Sequence, residues 1–202
     1  MSRERQQKQS EEVRGRILET AKRIISEEGI DALSVRRITR EMEYSTGIVY
    51  HYFDNKEQIL ACVLQEGYQR ILLSIKPPNQ NLAPDEALLV SLRRFIENML
   101  KEPEIYRETM LNSSPQVLEF TSVLGEGRVE ISPALMSLVS ALEVGVSEKV
   151  FAPCNVQITA QAIWSSIFGL LMRLIIERDV SKEQQSKLID CQIELILKGL
   201  RI

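Results

Sequence analysis

The single histidine of this chain, His51, stands in the run TGIVYHYFDNK at positions 46–56. Its surroundings decide what chemistry is open to it. The sequence holds no GxSxG nucleophile elbow, no glycine loop able to cradle phosphates, and no Cys/His pairing. Cys62, Cys154 and Cys191 are widely spaced and odd in number, which excludes both a disulfide scaffold and a zinc site. An enzyme is therefore not expected, and neither is a metal or a cofactor. The residues around His51 suit recognition instead. Tyr50, His51 and Tyr52 can donate hydrogen bonds to phosphate oxygens, and Ile48 can meet a thymine methyl in a major groove. Thr46 and Gly47 are small enough to let a backbone approach a groove, and Lys56 is a phosphate partner.

These side chains need elements that present them. Residues 34–56 read as two short helices, a tight turn and the start of a further helix. Ser34 is a good N-cap for a helix over 35–42, with Val35, Ile38 and Met42 on its buried face and Arg36, Arg37 and Arg40 turned outward. The turn is Glu43-Tyr44-Ser45, and Ser45 is expected to cap a helix over 46–52 anchored by Val49 and Phe53. Asp54 and Glu57 predict a capping box at the start of the next helix. An amphipathic helix over 11–28, with Val13, Ile17, Ala21, Ile24 and Ile25 as its stripe and Gly29 as its stop, supports the pair. Residues 1–10 lack apolar periodicity and read as an arm whose Arg3, Arg5 and Lys8 can reach phosphates or a minor groove.

The stretch from Ser34 to Leu60 resembles the DNA-binding region of the TetR family of bacterial transcriptional regulators. The matching residues are Val35, Ile38, Ser45-Thr46-Gly47, Val49-Tyr50, Tyr52-Phe53, Lys56-Glu57 and Leu60. The resemblance, with the supporting first helix, covers roughly the first third of the chain. It implies DNA contacts at Arg36, Ser45, Thr46, Gly47, Ile48, Tyr50, His51, Tyr52 and Lys56, and dimers on palindromic operators. Two departures stand in the turn. Thr39 takes the place of a usual alanine, and Glu43-Tyr44 replaces a usual Gly-Val. A non-glycine at position 43 implies strain or an altered turn, and its charge is unfavourable near DNA unless a base such as Arg40 pairs with it.

Beyond the reader the pattern is all-helical. A helix from 55 to about 75 carries Ile59, Leu60, Val63, Leu64, Tyr68, Ile71, Leu72 and Ile75, and Pro77, Pro78 and Pro84 break the chain after it. Further runs begin near Asp85, Pro103, Pro115 and Pro133, and a long one over 156–177 is apolar nearly all round. Ser181 and Gln184 form a capping box for the last, over 181–200. The expected architecture is all-α: a three-helix helix-turn-helix DNA-binding domain over 1–60, then a helical effector-binding and dimerisation domain over 61–202. The last two helices are the expected dimer surface, through Ser165, Gly169, Leu188, Cys191 and Leu195. Phe95, Met99, Tyr106, Met110, Phe120, Trp164, Phe168 and Met172 are candidates for an apolar effector cavity.

Composition agrees with this reading. Charged residues make up 26%, apolar ones 44%, and the net charge is −3. A general nucleic-acid coat is excluded, but a sequence-specific reader needs only a local basic face. Around the reader Arg36, Arg37, Arg40 and Lys56 oppose Glu41, Glu43, Asp54 and Glu57, so bulk charge contributes little. No membrane-spanning run or apolar leader is read, which predicts a cytoplasmic protein. The expected function is a dimeric transcriptional regulator, a repressor released from its operator by a small apolar or amphipathic ligand. The alternative is a DNA-bound dimeric regulator or adaptor controlled by a protein partner.

Overall fold

A computed structural model describes residues 3–73, 82–130 and 132–202. Among them the elements are α1 (Arg3–Glu28), α2 (Val35–Met42), α3 (Thr46–Tyr52), α4 (Lys56–Leu73) and α5 (Pro84–Met99). They continue with α6 (Pro103–Leu111), α7 (Pro115–Thr121), α8 (Pro133–Ser147), α9 (Val156–Ile176) and α10 (Lys182–Leu200). A 3-10 turn, Ile30–Ala32, joins α1 to α2, and one antiparallel bridge pairs Phe151 with Arg201. The all-α expectation holds. Ile75, Pro77 and Pro78 lie outside the described residues.

Local chemistry sets most of these boundaries. Gly29, at φ 86, ends α1, and its N–H still reaches the Ile25 carbonyl at 3.0 Å. Prolines open α5, α6, α7 and α8, where a missing N–H costs nothing. Three details differ from the sequence expectation. First, α1 begins at Arg3, so most of the polar arm is helix. Its Arg, Glu, Gln and Lys residues are good helix formers even without an apolar stripe. Second, the Ser45 side chain makes no capping bond; the Ser45 carbonyl instead accepts from the Ile48 N–H at 3.1 Å. Third, the box at the start of α4 sits one residue later. Asn55 Oδ1 accepts from the Gln58 N–H at 2.8 Å, and Gln58 Oε1 accepts from the Asp54 N–H at 2.7 Å. Phe53, just before the box, is extended (φ −142, ψ 132) and buried.

Two main cores result. The first joins Ile17, Leu18, Ala21, Ile24 and Ile25 of α1 to Ile38, Met42, Val49, Phe53, Ile59 and Val63, and takes in Ile105 of α6. The second unites Tyr68 with α5, α6, α8, α9 and α10, and a small third cluster holds Ala61, Leu64 and Val117. Thus α4 passes from one core to the other between Val63 and Tyr68. By length and composition α9 could cross a membrane, contrary to the sequence expectation that no run reaches that length. Its Ala160, Ile163, Ile167, Leu171, Met172, Leu174 and Ile175 are buried against the other helices. The Ser181 hydroxyl accepts from the Gln184 N–H at 3.2 Å and starts α10.

Candidate nucleic-acid interface

The reader is assembled from short-range constraints. The Ser34 hydroxyl accepts from the Arg37 N–H at 3.1 Å, which fixes the start of α2. Ile38 and Met42 are buried, Val35 half-buried. At the other end Glu43 lies in the left-handed region (φ 57, ψ 38), which gives the sharp turn a glycine would give more cheaply. The turn's other departure has a clear role. Tyr44 is half-buried, its hydroxyl accepts from Arg16 at 2.7 Å, and the Arg16 guanidinium lies 5.1 Å from its ring centre. The tyrosine ties the turn to α1.

Helix α3 is held from below by Val49 and Phe53, which are 0% and 2% exposed. Thr46, Gly47, Ile48, Tyr50 and His51 face solvent, with Tyr50 at 57%. Seven residues make a rod of roughly 10 Å, comparable with the width of a major groove. Tyr52 departs from the expectation that it faces outward. It is half-buried against the first core and its ring meets that of His51 edge-on, centres 5.0 Å apart. The edge-on contact braces the exposed His51 ring against Tyr52.

The charges are better sorted than their sum suggests. Glu41 binds both Arg23 and Arg37, and Glu28 also takes Arg37, so these groups neutralise one another beside α1. Arg36, Arg40 and Lys56 are exposed and have no ion-pair partner among the described residues. Glu43 is likewise unpaired; Arg40 does not neutralise it. Lys56 is the first residue of α4, where the positive end of the helix dipole adds to its attraction for an anion.

Residues 17–63 match the model of the bacterial regulatory proteins of the tetR family. The similarity is to the N-terminal domain of that family. The regulator UidR of Escherichia coli K12 is 29% identical over 76 residues, 38% of this chain and 39% of UidR. The chain thus spans about two-fifths of the length of that curated relative. Whole-chain similarity is seen in solved structures of low identity, which share the fold. A Rhodococcus sp. RHA1 protein of unknown function superposes with TM-score 0.71 at 15% identity, covering 94% of this chain and 96% of that one. A tetR-family protein from Rhodococcus RHA1 gives 0.64 at 18%, covering 94% and 97%. RolR in complex with resorcinol gives 0.62 at 17%, covering 93% and 89%.

In the C-terminal half, α5, α8 and α9 line a half-open cavity of about 460 Å³. Of the eight candidates drawn from sequence, only Phe95 and Trp164 line it. Met99, Tyr106 and Met172 are buried in the second core, and Met110, Phe120 and Phe168 are half-buried around it. Phe168 stacks on Trp164, ring centres 5.4 Å apart, while Phe120 lies over Tyr68. The walls are instead Leu88, Ser91 and Leu92 of α5 and Ser137, Leu138, Ser140 and Ala141 of α8. A sequence signal for them exists: small residues recurring on one face of α8 leave space between helices, whereas large ones fill it.

The five candidate interface residues lie on the two C-terminal helices. Gly169, Leu188, Cys191 and Leu195 are exposed, with Leu195 at 61%. Ser165 is half-buried and donates to its own helix at Gln161. Ile158, Ala162, Ser166 and Ile176 extend the exposed stripe of α9, and Gln192 of α10 donates to Ser166 across the pair.

Proposed function

We propose that this protein is a dimeric, sequence-specific DNA-binding transcriptional regulator of the cytoplasm, a repressor released from a palindromic operator by a small apolar or amphipathic ligand. One observation carries the reading. A seven-residue helix shows Thr46, Gly47, Ile48, Tyr50 and His51 to solvent while Val49 and Phe53 anchor it, beside the unpaired Arg36 and Lys56. Exposed aromatic and aliphatic groups of this kind gain little in water and much against base edges and phosphates.

In this reading residues 1–60 form the DNA-binding domain and residues 61–202 the effector and dimer domain. Two copies pair through the exposed faces of α9 and α10, which sets the readers one helical turn apart, about 34–36 Å. The mostly apolar cavity between α5, α8 and α9 supports a ligand-responsive mechanism. RolR, which shares the fold, holds resorcinol.

The test is to recover DNA fragments retained by the purified protein, then measure affinity for the selected site. Tyr50→Ala should weaken binding by about 1–3 kcal/mol with helicity and oligomeric state unchanged. Unaltered affinity at physiological salt would remove α3 from the interface.

A further inference from the structure

Resting on the DNA-binding reading above, we infer that the outer turns of α1 form a second, sequence-independent part of the interface. Arg5 and Lys8 contact phosphates of the duplex beside the groove that α3 enters. From sequence, the basic residues of the N-terminal arm had two partners open to them, phosphates or a minor groove. The structure separates the two. The arm is helical from Arg3 onward. A helix with its side chains is about 10–12 Å across, whereas a minor groove is about 6 Å wide. The rod is too thick for that groove, so its cations are left to the phosphate ridge.

The placement follows from how α1 lies along α4. Arg14 Nη2 donates to Cys62 Sγ at 3.5 Å. Further along both helices, the Glu19 carboxylate acts by charge on Arg70, which is held first by Glu102. The paired positions rise together, so the two helices run in the same direction. Stepping back equally along each from the Arg14–Cys62 contact brings Lys8 level with Lys56, the first residue of α4. Arg5 stands about one turn further out. The Arg14 guanidinium also lies 5.1 Å from the ring centre of Phe53, the residue that ends α3, so this part of α1 borders the reader.

Nothing within the protein occupies these charges. Val13 is the first apolar residue of α1 packed on the reader's core, and the helix before it projects by roughly 15 Å. Arg5 and Lys8 are exposed and have no ion-pair partner among the described residues. Over positions 3–9 Arg3, Arg5 and Lys8 outnumber Glu4, while Glu11 and Glu12 stand nearer the core. The three glutamines between and beside these cations, Gln6, Gln7 and Gln9, are exposed amides that also donate to phosphate oxygens.

The test uses the full-length protein, a duplex carrying the recovered site, and an unrelated duplex of the same length, titrated across a range of salt. Arg5→Gln with Lys8→Gln keeps two good helix formers at exposed positions, and circular dichroism should show unchanged helicity. The double variant should lower the slope of log affinity against log salt by about two for each half-site. It should weaken both duplexes alike, by at least about tenfold at physiological salt. Arg5→Lys with Lys8→Arg, which keeps both charges, should keep the slope. An unchanged slope in the glutamine variant would overturn the inference while leaving α3 as the reader. A loss confined to duplexes with A·T-rich flanks would assign the arm to a minor groove and overturn it equally. If the unaltered protein binds neither duplex, the inference falls together with the DNA-binding reading.

Discussion

At the scale of single residues, Glu43 carries the clearest cost. A side chain in the left-handed region is disfavoured by about 1–2 kcal/mol relative to glycine, and Glu43 is exposed with its charge unpaired beside the reader. Two variants separate strain from charge. Glu43→Gly should stabilise the protein by about 1 kcal/mol and raise Tm by about 2–4 °C, whereas Glu43→Gln should leave Tm unchanged. Both should tighten DNA binding, because both remove a negative charge near phosphates. Thermal unfolding and DNA titrations of the pair distinguish the two effects; equal Tm for all three proteins would show that the turn relaxes without strain. Lys56→Ala should weaken binding to all sequences alike and reduce the salt slope by about one for each half-site.

At the scale of elements, α6 is the link between reader and effector domain. Its Ile105 belongs to the reader's core while the adjacent Tyr106 is fully buried in the second core. Arg70 of α4 is held by Glu102 just before α6, at 3.1 Å, and this pairing raises the Arg70 pKa. The crossing of α4 and α6 is tight at Gly67, where an added Cβ would lie 2.6 Å from Ile105 Cγ2. Isoleucine is stiff at this branch and cannot swing away. Gly67→Ala should therefore cost about 1–3 kcal/mol. Adding Ile105→Val should not relieve it, since valine keeps both methyl branches, whereas Ile105→Ala should. A double-mutant cycle by denaturant unfolding gives the coupling energy. The same Gly67 variant should shift DNA affinity, because moving α4 displaces the first-turn residues beside α3.

At the scale of the whole molecule, α9 and α10 leave Ile158, Ile176, Leu188 and Leu195 exposed. Leu195→Glu, at an outward position, should shift the protein toward monomer in sedimentation velocity and weaken operator binding at low protein concentration. An undisturbed dimer would move the interface elsewhere. Alkaline stability is a further property of the assembled core. Burial pushes the Tyr68 phenol from 10.0 up to about 12, and burial with Tyr68 nearby pushes Tyr106 up as well. The native state then keeps protons that the unfolded chain releases, so stability is full below about pH 10 and falls as pH rises through the folded values. Tyr68→Phe should flatten that decline, as read by unfolding midpoints across the alkaline range.

The reader was legible because its determinants are local. Ser34 as a cap, the Ile38–Met42 face, Val49 with Phe53 and the stop at Gly29 each act within a turn or two of the chain. The capping shift from Asp54 to Asn55 shows the limit of that legibility. Asp54 and Asn55 are adjacent residues of similar capping ability, and local sequence does not choose between them. The C-terminal half lies further from what a sequence can settle. Its periodicity marked which residues are apolar, and so placed Phe95 and Trp164 near the cavity, but could not distinguish a wall from a filled core. Met99 and Tyr106 have the same chemistry as the walls and are packed solid. Whether space remains between helices depends on where small residues of one meet large residues of another. The sequence alone determined the helices and the local turns of the first four, because those rest on neighbours in the chain; tertiary packing decided which face of α9 and α10 stays exposed, that a cavity lies between α5, α8 and α9, and that Glu148 is its one described charge.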